Sequence, residues 1–406
     1  MKKHLIILTT LSTCIFLSAC NDSKDSDSYS NSPSIPENNI QNPVVRMDAY
    51  TATDMSVVTN ESLLMTYRML GINGQEVMAT SLLFTPKGTA PTGGWPIVVW
   101  AHGTTGIADV CAPSRNMLDE NVENMISQLL AQGYVVVAPD YEGLGEPGGT
   151  EIHPFLNVKS EAFSITDAVV AARSYLGVKA SNKWIAVGHS QGGQAALGAA
   201  QYASRAKLTY KGTVAVAPAS NLDLILKAGE LSAANQSVAT QIETYANLDT
   251  YTALITAGLR NPNPSLKYSQ IFKSPSDNIA AEAESVCAPA LGQLFAAGLT
   301  KYASENNNTL TGYGRTQDGF LTLPVVSNFT STDGQPLTTK VSTPITIYQG
   351  KADTTVPYIA TNQLVTKAKL DGTSINFVTS ELWTHSTAYI SNISKIVIDV
   401  NTMFAQ

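Results

Sequence analysis

The sequence predicts an α/β protein in which a mostly parallel sheet, covered by helices on both faces, carries a largely helical cap insertion. Two observations lead there. Continuous apolar runs of strand length, "WPIVVWAHG", "GYVVVAPD", "KWIAVGHS" and "GTVAVAPAS", alternate with helix-length segments. A strand that is apolar on both faces needs cover on both. The alternation lapses after Ser220 through a long Ala-, Asn- and Thr-rich stretch, then resumes at "PITIYQG". That lapse reads as an insertion hung on the sheet. At 406 residues and 44% apolar content the chain can bury a substantial core. Its formal net charge of −7, with no basic stripe, excludes a nucleic-acid binder.

Taken in order, the chain opens with Lys2 and Lys3 before an apolar run from Leu5 to Phe16, too short to span a membrane and stay. The run closes at Leu17-Ser18-Ala19-Cys20, which resembles the lipobox of bacterial lipoproteins. The resemblance implies a signal peptide over residues 1–19, a lipidated Cys20 and an exported, membrane-anchored protein; an ordinary signal peptide cleaved nearby is the alternative, and it too implies export. Asn21 after that Cys favours the outer membrane. Residues 20–43 are rich in Ser, Asn, Asp and Pro and read as a disordered tether.

A first core segment is expected over 44–221, a cap over 222–324 and a second core segment over 325–406. Leu63–Leu70 and Glu76–Phe84 flank Gly71-Ile72-Asn73-Gly74, a hairpin signal. Helices are expected over Met117–Gln132, Val158–Leu176, Gly192–Ser204, Tyr358–Leu370 and Thr387–Phe404, with "INFVTS" as a late strand. Of four cysteines, Cys14 leaves with the leader and Cys20 is committed to lipid, so Cys111 and Cys287 are left for one disulfide in an oxidising compartment. Two separate buried thiols are the alternative.

The chemistry centres on "IAVGHSQGGQAALGAA". A Ser placed on a sharp strand-to-helix turn needs small neighbours, and Gly188 and Gly192 supply them. A Ser hydroxyl is a weak nucleophile without a base, and in this strand-turn-helix setting the order is Ser, acid, His. Of His4, His102, His153, His189 and His385, only His385 follows Ser190. The acid must orient the imidazole from the end of a strand, and Asp353, directly after "PITIYQG", meets that need. Its rivals Asp371 and Asp333 both precede Gly and read as turns. Negative charge developing on a carbonyl oxygen needs N–H donors. Gln191, next after the Ser, offers one and Thr104 in "VVWAHGTTG" the other, with Thr105 a weaker candidate and His102 a brace for that loop.

Together "GWPIVVWAHGTTG", "APDYEGLG" followed by "HPFL", "GHSQGGQAAL" and "GKADTTVP" resemble the secretory lipase family of the α/β-hydrolases, from about Val44 onward. The resemblance implies hydrolysis of carboxylic esters by a Ser190, Asp353 and His385 triad under a cap. It implies an ester or lipid substrate, and no metal or organic cofactor. Asp140, Tyr141 and His153 match family motifs as loop architecture beside the site. A serine peptidase of the same fold and a non-catalytic surface lipoprotein remain the alternatives. Apolar stretches of the insertion, "LGQLFAAGL" among them, could line an acyl channel.

Overall fold

The structure is a computed structural model that describes residues 34–145 and 151–406. The leader, Cys20 and most of the tether lie outside the described residues. Nine strands form one sheet: β1 (Val44–Ala49), β2 (Thr59–Leu70), β3 (Glu76–Pro86), β4 (Trp95–Ala101), β5 (Val135–Pro139), β6 (Ala180–His189), β7 (Thr209–Val216), β8 (Ile345–Gly350) and β9 (Ile375–Ser380). Their spatial order is β1-β2-β3-β5-β4-β6-β7-β8-β9. The first three pair antiparallel, β3 meets β5 antiparallel, and every pairing from β5 to β9 is parallel. The Asn-Gly hairpin joins β2 to β3, with Leu70 opposite Glu76. β1 was not foreseen, because "VVRMDA" is half exposed and lacks a clean alternation.

Each face of the sheet has its own core. Helices Val158–Leu176, Gln191–Tyr202 and Tyr358–Leu370 cover one face through Phe163, Leu197 and Leu364. Helices Glu120–Ala131, His385–Ile390 and Ile393–Ala405 cover the other through Leu129, Tyr389 and Val400. The last helix was expected as one piece from Thr387. It is two, because Asn392 stands outside helical geometry (φ −119°, ψ 7°) between them.

Two expected boundaries move. The tether was expected to run to Pro43, yet Arg205 donates to the Pro36 carbonyl and Asn38 donates to Asp167, so the chain is fixed to the body from Pro36. The cap was expected to end at Pro324. Val326 and Phe329 are instead buried in the cap's own cluster with Phe272 and Phe295, and the sheet resumes only at Ile345. Cys111 and Cys287 form a disulfide, with Cα atoms 5.4 Å apart. It ties the loop after β4 to the cap, beside a short antiparallel bridge between Gly106 and Cys287.

Candidate active site

Ser190 stands between β6 and helix Gln191–Tyr202 at φ 61°, ψ −120°, a conformation costly for any residue with a side chain. The surrounding backbone holds it there. The Ser190 N–H donates to the Val216 carbonyl at 2.9 Å, while its carbonyl accepts from Gln194 and Ala219. The turn is possible because a Cβ on Gly188 would collide with the Gly192 carbonyl, and one on Gly192 with that of Ala101.

His385 begins helix His385–Ile390, capped by Thr384 and Thr387. Its Nδ1 lies 2.8 Å from Asp353 Oδ2. A carboxylate only accepts, so Nδ1 carries the hydrogen, which leaves Nε2 as the acceptor of the neutral ring. Asp353 is fixed from behind: Oδ1 accepts from the N–H groups of Thr355 (2.9 Å) and Val356 (2.8 Å), and Oδ2 also accepts from Gln349 (3.2 Å). The rivals go elsewhere. Asp371 pairs with Lys367 and Asp333 accepts from Asn328.

Two cavities meet at Ser190. One, about 410 Å³, runs under the cap and is lined by Gln191, Leu222, Ile225, Leu226, Ile255 and Val356, with a polar rim that includes Gln236, Thr240 and Asn247. The other, about 650 Å³, is lined by His385, His189, Trp100, Leu118, Tyr389 and both cysteines of the disulfide. Thr104, Ser190 and Tyr251 line both. Thr105 lines the larger cavity, and its carbonyl accepts the Ala288 N–H at 2.8 Å. "LGQLFAAGL" contributes no residue to the cavity under the cap, and Phe295 is fully buried against Phe272 inside the cap.

Buried polar groups brace the site. His102 stacks on Tyr141 at 4.3 Å, and the Tyr141 hydroxyl donates to the His102 carbonyl. Asp140 accepts from Thr80 and from the Ser114 N–H, while burial pushes its carboxyl up to about 6. His189 Nε2 donates to the His385 carbonyl at 3.1 Å. Burial, then the neighbouring His385, pushes the His189 imidazole down to about 3, so it stays neutral. His153 Nδ1 donates to the Glu142 carbonyl at 2.8 Å, and burial lowers that ring to about 3 as well.

Three residues beside the site carry no sequence signal that was used: His189, Tyr251 and Glu161, whose Oε1 accepts from the Gln191 side chain at 2.8 Å. His189 sits inside the Ser motif and could have been found there. Tyr251 lies in a long cap helix, Val238–Arg260, whose sequence gives no sign of which face meets the sheet. Among the described residues no His, Cys, Asp and Glu cluster could hold a metal ion, and no helix is long and apolar enough to cross a membrane.

The nine-stranded, mostly parallel sheet, with Ser190 on its strand-to-helix turn under a cap, is that of an α/β-hydrolase. A sequence model of the family described as "Secretory lipase" matches residues 116–401, most of the chain, and the protein belongs to that family. It is therefore a hydrolase of lipase or esterase type. Similar folds include Candida antarctica lipase A in its closed state (18% identity, TM-score 0.67, covering 90% of this chain and 83% of that one). A putative hydrolase from Legionella pneumophila is alike at 18% identity and TM-score 0.68, with 90% and 99% covered. The rice cell wall degrading esterase LipA from Xanthomonas oryzae, in a ligand-bound form, shares 19% identity at TM-score 0.63, with 88% and 97% covered. No curated protein sequence matches the chain.

Proposed function

We propose that the protein is a serine carboxylic-ester hydrolase in which Ser190, His385 and Asp353 act as a triad through an acyl-enzyme. One observation carries this reading: a buried Asp353 holds His385 Nδ1 at 2.8 Å on the cavity that also contains Ser190. His385 Nε2 takes the Ser190 proton as Oγ attacks the ester carbonyl carbon. The carbonyl oxygen becomes an oxyanion, met by the N–H groups of Gln191 and Thr104. Collapse of this intermediate breaks the bond to the alcohol oxygen, which receives the proton from His385. Water then repeats the sequence on the acyl-enzyme and releases the acid.

The proton transfer assigns the two cavities. The leaving alcohol must lie within reach of His385, which lines only the 650 Å³ cavity. The acyl group then occupies the 410 Å³ cavity under the cap, against Leu222, Ile225 and Leu226. Export and acylation at Cys20 rest on the Leu17–Cys20 motif, and the secretory character of the family accords with export. Metabolic labelling with a fatty-acid probe should mark the protein, and Cys20→Ala should lose the mark.

The enzymatic reading is tested by assaying p-nitrophenyl esters of graded acyl length beside peptide p-nitroanilides. Ser190→Ala should remove ester turnover by about 10⁴-fold or more with the fold intact. Faster cleavage of anilides than of esters would make the chain a peptidase instead. Unchanged ester turnover in folded Ser190→Ala would end the proposal.

A further inference from the structure

The Gln191 side chain is held more firmly than an oxyanion donor's needs to be, since only its backbone N–H faces the reaction. Its Nε2 donates to Glu161 Oε1 at 2.8 Å and lies 3.0 Å from His153 Nε2. Because His153 Nδ1 is committed to the Glu142 carbonyl, Nε2 of the neutral ring is an acceptor, and both Gln191 Nε2 hydrogens are used. Glu161 Oε1 also accepts the Leu156 N–H at 3.1 Å. Glu161 is fully buried, with Oε2 unpartnered among the described residues. A buried carboxyl with an unpartnered oxygen is costly, and packing alone would be served better by Leu or Met.

We propose that Glu161 is a positioning residue for the oxyanion hole: through the Gln191 side chain it fixes the peptide between Ser190 and Gln191, and so the direction of the Gln191 N–H. The inference rests on reading Gln191 as an oxyanion donor. The local geometry gives a reason for the clamp. Gln191 is the first residue of its helix, directly after a backbone at φ 61°, so helix hydrogen bonding leaves its N–H free. A clamp on its side chain removes the remaining rotational freedom of that peptide. Glu161 and His153 come from outside the turn, so the clamp also couples the oxyanion site to helix Val158–Leu176 and to the loop before it.

Glu161→Leu keeps the volume and removes the acceptor. Glu161→Gln keeps an oxygen that can accept from Gln191. With a short p-nitrophenyl ester, Glu161→Leu should lower kcat about 10- to 100-fold and change KM less than about twofold, since misplacement of one donor acts on the transition state. Binding of an alkyl boronic acid, which forms a tetrahedral adduct on Ser190, should weaken by a similar factor. Glu161→Gln should stay within about threefold of wild type in both measurements. If Glu161→Leu does not fold, Gln191→Leu breaks the same contact while keeping the backbone N–H, and should give the same kcat-selective loss. Wild-type kcat in folded Glu161→Leu or Gln191→Leu would overturn the inference. So would a Glu161→Gln protein as damaged as Glu161→Leu, or a loss carried in KM alone. A wild-type protein that binds the boronic acid no better than the ester would instead remove the oxyanion reading beneath it.

Discussion

At the scale of single residues, the site is set by charges and dipoles held in place before any substrate arrives. Asp353 receives two backbone N–H groups on one oxygen, so its other oxygen is directed to His385 at 2.8 Å. Asp353→Asn would present an amide N–H to His385 Nδ1, favour the wrong tautomer and lower kcat by about 10⁴-fold while the fold persists. Steady-state kinetics beside circular dichroism would test it, and a loss under tenfold would count against the assigned role.

The buried titratable groups also set a pH dependence of stability. Burial raises Glu142 to about 7 and Glu161 to about 8, so at neutral pH Glu161 is mostly protonated in the fold and Glu142 partly so, while both are ionised in the unfolded chain. Each contributes stability that is fully present below the unfolded carboxyl pKa and is lost as pH rises through the folded one. His153 and His189, lowered to about 3, act oppositely, losing stability as pH falls below the unfolded imidazole range near 6.5. Above that range only the carboxyls still contribute. Stability should therefore fall between about pH 6.5 and 8, by roughly 1 kcal/mol per pH unit for each group still protonated, and Tm with it. Glu161→Gln should make the decline shallower. A flat Tm over that window, or an unchanged slope in Glu161→Gln, would show that these carboxyls are ionised in the fold.

At the scale of elements, the cap and the loop after β4 decide what reaches Ser190. The disulfide between Cys111 and Cys287 closes a span of 176 residues and holds the cap next to Thr104 and Thr105. In the chain-entropy view so long a loop corresponds to roughly 4 kcal/mol or more. Replacing both cysteines with Ala should lower the denaturant midpoint accordingly, and non-reducing peptide mapping of the native protein should recover the linked pair. Two free thiols would contradict the bridge.

The helices Leu222–Ala233 and Val238–Arg260 line the cavity proposed to take the acyl group, through Ile225, Leu226, Leu248 and Ile255. Ile225→Trp should therefore cut activity on long acyl chains while short esters are still hydrolysed. Phe295→Trp should leave chain-length preference alone and cost about 1–3 kcal/mol by overpacking the cap's core. The opposite pattern in a p-nitrophenyl ester panel would move the acyl group to another surface. These two helices also show where sequence patterns fail. Helix Leu222–Ala233 buries only Leu222, Leu226 and Ala233 among its residues, and an apolar face lining an open cavity reads in sequence like one filling a core. "LGQLFAAGL" fills a core through Leu291, Phe295 and Leu299.

At the scale of the whole molecule, the parallel part of the sheet was legible because its inner strands are largely buried on both faces and carry long apolar runs. Val135–Pro139 and Ile345–Gly350 are buried throughout. The candidate triad positions were legible for a different reason: backbone geometry at the turn demands Gly188 and Gly192, and one His alone follows Ser190. The edge strand β1, the break at Asn392 and the anchoring of Pro36 and Asn38 by Arg205 and Asp167 were not legible. The helix break is a local departure of Asn392 from helical geometry, whereas the strand and the anchoring depend on partners elsewhere in the chain, which local composition does not name. The same holds for Tyr251 and Glu161, which join the site only because the cap and helix Val158–Leu176 fold onto it.

The proposed ester hydrolysis depends on Ser190 as its nucleophile. Its most direct test is trapping with a fluorophosphonate, followed by peptide mass mapping and an ester assay on the same sample. A single adduct on Ser190, formed in step with complete loss of p-nitrophenyl ester turnover and absent from folded Ser190→Ala, is the predicted result. Full turnover in protein labelled on Ser190, or an adduct on another residue that tracks the loss of activity, would contradict it.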